Sequence, residues 1–117
     1  MILNKAYNES YTPKQRLDKM IDNMLKLNSR TYQGCIMGNT VLETAGTKDD
    51  FSLLLQSYFD DWRDALSCLY RTKYDERQAR MMAQEDLQAL QGGMLFMKLY
   101  NDQSYLLRVA GKIKGRL

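Results

Sequence analysis

From Phe51 to Leu69 the apolar residues return at steps of three and four: Phe51, Leu54, Leu55, Tyr58, Phe59, Trp62, Ala65, Leu66 and Leu69. That period places one continuous stripe on one side of an α-helix and commits the helix to packing against other elements. Asp49 and Asp50 sit where a helix N-terminus favours negative charge, and Gly46 followed by Thr47 reads as a left-handed stop and a fresh cap. The spacing predicts a long central helix starting near Lys48 and ending near Tyr74. Strand-like alternation is missing throughout, and Pro13 is the chain's only proline. The class is therefore all-α.

The rest of the chain supplies partners for that stripe. Thr12, Pro13 and Gln15 form a helix start in which Thr12 caps, Pro13 loses no needed donor and Gln15 closes a capping box. Leu17, Met20, Ile21, Met24 and Leu25 give this helix its apolar side, and it should end between Asn28 and Thr31. A short helix is expected from Cys35 to Ala45. Asp75 with Gln78 repeats the capping logic and opens a helix bearing Ala79, Met82, Ala83, Leu87, Leu90, Met94 and Met97. Gly92 and Gly93 interrupt that pattern. A helical glycine costs about 1 kcal/mol relative to alanine, so the pair predicts a close approach by another helix. Asn101 to Ser104 reads as a break, and a last helix carries Tyr105, Leu106, Val109, Ala110 and Ile113. The expectation is an antiparallel bundle of about five helices, with residues 1–11 as a lead-in.

A length of 117 residues suits one domain. No apolar run approaches the roughly 18 residues of a membrane span, and residues 1–10 lack a secretory signal's apolar core, so a soluble, cytoplasmic chain is expected. With no histidine, the usual Cys/His zinc patterns and histidine-based triads are excluded. Cys35 has no partner base for thiol catalysis, and both Cys35 and Cys68 read as small buried hydrophobes. A net charge of +3 is spread along the chain, and the cluster Lys112, Lys114 and Arg116 reads as cations complementing a helix C-terminus. Gly34 to Asn39 is no phosphate cradle, since no strand precedes it and no Lys-Ser/Thr follows. Asp60, Asp61 and Asp64, with Asp86, are the acidic set to weigh for metal or catalysis. Their helical spacing points them apart, so neither a metal site nor an enzyme is expected.

The order of features resembles the C-terminal effector-binding and dimerisation domain of TetR-family transcriptional regulators. Arg16-Leu17 on the first helix, Gly34-Cys35 at a turn, Gly38-Asn39 and Glu43 on a short helix, the Phe51 to Leu69 stripe and Gln91-Gly92-Gly93 on a later apolar helix occur in that sequence. The resemblance covers Thr12 to Leu117. It implies a ligand pocket lined by Met20, Met24, Cys35, Asn39, Leu55, Phe59, Trp62, Met82 and Asp86, holding a small, largely apolar effector and no cofactor. It also implies a homodimer through the last two helices, with Leu87, Leu90, Gly93, Met94, Met97, Leu106, Val109 and Ile113 at the interface. DNA would be read only by an N-terminal three-helix unit for which this chain has no room, residues 1–11 matching at most the tail of a connecting helix. The alternative is a helical interaction or structural module without a ligand cavity.

Overall fold

The structure is a computed structural model that describes residues 6–29 and 50–117. It contains four α-helices among the described residues: α1 (Pro13–Ser29), α2 (Asp50–Tyr70), α3 (Glu76–Tyr100) and α4 (Ser104–Lys114). The short helix expected from Cys35 to Ala45, the Gly34 turn and the Gly46-Thr47 boundary lie outside the described residues. No strand occurs among the described residues, as the all-α reading requires.

Local chemistry accounts for the helix ends. At α1 the Thr12 N–H donates to Gln15 Oε1 at 3.0 Å while the Gln15 N–H donates to Thr12 Oγ1 at 3.2 Å, a reciprocal capping box. Asp75 caps α3 by accepting from the Gln78 N–H at 2.7 Å. The central helix stops at Tyr70, four residues short of the expected end. Beyond it, the Thr72 hydroxyl takes the Leu69 carbonyl at 2.7 Å, and residues 72–74 close as turns onto Leu69 and Tyr70. A threonine that bonds a carbonyl three residues back competes with helix continuation. α3 ends at Asn101, which adopts the left-handed conformation (φ 50°) and returns its N–H to the Met97 carbonyl. Asparagine tolerates that conformation better than other non-glycine residues. Asp102 then accepts from the Ser104 N–H at 2.8 Å, and bonds to Ser104 hold its carboxyl below the usual carboxylate range.

α2 packs on α3, α3 on α4, and α1 against both α2 and α4. One apolar cluster runs through the four helices: Leu17, Met20, Ile21 and Met24 from α1; Trp62, Ala65, Leu66, Leu69 and Tyr70 from α2; Ala79 to Met97 from α3; Leu106, Ala110 and Ile113 from α4. The α2 stripe is deep only in its second half. Leu54 is exposed and Tyr58 and Phe59 are half-buried, because the described helices close over the Trp62 to Tyr70 end.

The glycine pair does not interrupt α3, which runs unbroken from Glu76 to Tyr100. A Cβ at Gly93 would lie 3.3 Å from the Leu106 Cα and 3.4 Å from the Tyr105 carbonyl oxygen, whereas one at Gly92 would meet nothing within 4 Å. The close approach belongs to Gly93 alone, and the approaching helix is the chain's own α4.

Candidate functional site

Met20 and Met24 of α1, Trp62 of α2 and Met82 of α3 meet in one buried apolar cluster. Leu55 is also buried but stands apart from that cluster, and Phe59 is half-buried, its ring edge-on to Tyr58 at 5.2 Å between centroids. Cys35 and Asn39 lie outside the described residues. Three helices thus bring methionine thioethers and an indole into one core, side chains that repack readily around apolar neighbours.

Asp86 is the buried charged residue of this region, and internal partners satisfy it. Its Oδ1 accepts from Arg116 Nη2 at 2.8 Å and its Oδ2 from Arg116 Nε at 3.1 Å, while the Tyr70 hydroxyl also donates to Oδ2. Burial, then the bond to the carboxylate, raise the Tyr70 phenol well above its ordinary value, and the same carboxylate raises the Arg116 guanidinium. Asp86 is therefore committed to holding the end of the chain. Tyr70 and Arg116 carry no sequence signal of this grouping: Arg116 follows Lys112 and Lys114 at a helix end, where a cation is expected to complement the terminal carbonyls. Elsewhere on α2, Arg63 bonds Asp60 and Asp64, both at 3.1 Å. No cluster of possible metal ligands occurs among the described residues, and Cys68 is a half-buried free thiol. A depression at the start of α3, bordered by Asp75, Glu76, Arg77 and Arg80, takes no part in the apolar cluster.

The residues expected to face a second subunit fall differently. Leu90, Gly93, Met94, Met97, Leu106 and Ile113 are buried within the single chain, and Leu87 and Val109 are half-buried against the same core. They contribute to the seam between α3, α4 and the other helices, and within this set Leu87 and Val109 keep part of their surface open. Besides Met81 near the start of α3, the large apolar residues that α3 and α4 expose are Leu95, Phe96, Leu99, Tyr100 and Leu107, with Leu99 exposed to 67%. On α3 this second stripe is turned about half a turn from the Met94/Met97 side. Phe96, Tyr100 and Tyr105 join it to α4 through ring contacts of 5.3 to 6.0 Å. The signal was present in Met94 to Tyr100, where six of seven residues are apolar or aromatic and no single face can hold them all.

Comparison with known proteins gives this arrangement a context. Residues 13–112 match the family model for the C-terminal domain of LmrA/YxaF-like transcriptional regulators. No curated protein matches the chain. The fold is similar to the crystal structure of a TetR transcriptional regulator from Legionella pneumophila, with a TM-score of 0.86 at 20% identity over 99% of this chain and 63% of that one. The chain thus spans under two thirds of that regulator's length. With the matched segment running from the first residue of α1 nearly to the end of α4, the chain belongs to the TetR-type transcriptional regulators as a C-terminal domain of the LmrA/YxaF-like kind.

Proposed function

We propose that residues 12–117 form an effector-sensing and dimerisation domain that acts in the cytoplasm and binds a small, largely apolar molecule among α1, α2 and α3. The observation that carries the reading is the meeting of Met20, Met24, Trp62 and Met82 from three helices in one apolar cluster. Apolar walls supplied by separate helices suit an occupant whose binding changes how the helices sit. Such an occupant controls DNA binding only through its difference in affinity for two arrangements of the domain, and the DNA reader is a helix-turn-helix unit outside these 117 residues. Asp86 serves the fold in this reading rather than the effector, since its oxygens are already taken by Tyr70 and Arg116.

Trp62, the chain's one tryptophan, is 7% exposed and reports on the cluster directly. Titration with a panel of apolar compounds should raise the melting temperature and shift Trp62 emission for the same compounds, because a ligand that binds only the folded state stabilises it. A panel that moves neither signal would refute the reading. It would favour an interaction module without a ligand cavity, for which the exposed Leu95, Phe96, Leu99, Tyr100 and Leu107 face is the supporting feature.

The same face supports dimerisation. Two copies of α3 and α4 brought together about a two-fold axis make a four-helix arrangement that covers the stripe each copy leaves open. The interface residues in this reading are Leu95, Phe96, Leu99, Tyr100 and Leu107, in place of the buried set that the family resemblance implied.

A further inference from the structure

The last residue of α4 and the turn beyond it bond to α1 and α3, and through Asp86 they reach α2. Lys114 Nζ pairs with Asp22 of α1, and Lys14 Nζ of α1 donates to the Lys114 carbonyl while also bonding Asp18 at 3.1 Å. Two residues on, the Arg116 guanidinium grips both oxygens of Asp86 on α3, and that carboxylate accepts from Tyr70, the last residue of α2. Tyr74 donates its hydroxyl to the Arg116 carbonyl at 3.1 Å, and Leu117 packs on the core.

The two grips differ in kind. The Asp86 side chain is 6% exposed and its partner's fork is planar and two-pronged, so separation would strand a buried charge. Asp22 is 61% exposed, and an ion pair with a solvated carboxylate is weak and screened by salt. We infer that Lys114 to Arg116 is a graded latch: Arg116 fixes the end of α4 to the α2–α3 pair, while Lys114 holds α1 by a weaker tie that opens first. Because Leu17, Met20, Ile21 and Met24 belong to the shared core, the looser tie permits local opening of α1 and not its separation from the other three helices. The helix on the looser tie is α1, so the latch sets which boundary yields when the domain changes shape. This inference does not depend on an effector, and its test uses none, so it and the regulatory reading can fail separately.

Amide hydrogen exchange on the whole chain tests it. Lys114→Met should speed exchange across Asp18 to Leu25 by at least about threefold and leave Met94 to Met97 unchanged, since local opening samples only the weakened boundary. Arg116→Gln should free the last turn of α4 as well as α1, by about tenfold or more, again with a much smaller change at Met94 to Met97. Should Arg116→Gln not fold, Arg116→Lys, which keeps the charge and loses the two-pronged grip, is read in its place. Raising salt should reproduce the Lys114→Met pattern in the unaltered chain. Unchanged α1 exchange in Lys114→Met would overturn the latch. So would a uniform rise over all four helices in the Arg116 variant, which marks a general stabiliser only.

Discussion

At the scale of single residues, Asp86 and Gly93 show how a position's cost is set by what surrounds it. Asp86→Ala leaves the Arg116 guanidinium without its counter-charge and the buried Tyr70 hydroxyl without an acceptor. A loss of about 3 kcal/mol in urea unfolding is expected, the scale of breaking a buried pair from one side. Tyr70 also sets a pH response. Its phenol is raised in the folded state, so the fold binds a proton that the unfolded chain releases above about pH 10. Its contribution is whole below that pH and declines as pH rises beyond it. The melting temperature should therefore fall through the alkaline range, and Tyr70→Phe should flatten that fall; an equally steep decline in the variant would clear Tyr70 of the effect. The glycines part company by the same logic. Gly92→Ala adds a methyl into open space on a helix and should stabilise by about 0.5–1 kcal/mol. Gly93→Ala must push back the α4 backbone and should fall clearly short of that gain. Equal gains from both would mean that α4 does not seat at Gly93.

At the scale of elements, side chains satisfy the end groups where α1 and α3 begin. The Asp75 cap stands at the start of the longest helix, with its carboxylate on the Gln78 N–H. Asp75→Ala should cost about 1 kcal/mol and fray the first turn of α3, visible as faster exchange at its opening amides. α3 also carries two jobs at once. Its inner side binds α2 and α4 through Ala79, Ala83, Leu90, Met94 and Met97, while Leu95, Phe96, Leu99 and Tyr100 stand outside. That double apolar character separates the end of α3 from α1, whose outward residues Lys14, Asp18, Lys19 and Asp22 are charged.

At the scale of the whole molecule, the exposed face of α3 and α4 decides whether the domain lives alone. Leu99→Lys should shift the sedimentation of the chain toward the monomer while leaving its helical signal intact, because a residue 67% exposed contributes little to the single-chain core. Met97→Ala, wholly buried, should instead destabilise the fold by about 2–5 kcal/mol. If Leu99→Lys leaves the oligomeric state untouched, this face is not where copies meet.

What the residues alone determined was local: the all-α class, the Thr12 and Asp75 helix starts, the break at Asn101 and the family resemblance later matched over residues 13–112. Each of these depends on neighbours within a few positions, where capping geometry and a 3.6-residue period act directly. The tertiary structure decided which apolar side faces inward where two compete, as at Met94 to Tyr100, and which glycine receives a neighbour. It also decided that Asp86 belongs to Arg116, thirty residues away. Those outcomes turn on helix rotation and on contacts between distant segments, and periodicity records neither, since a stripe shows that a face is apolar without saying what will cover it.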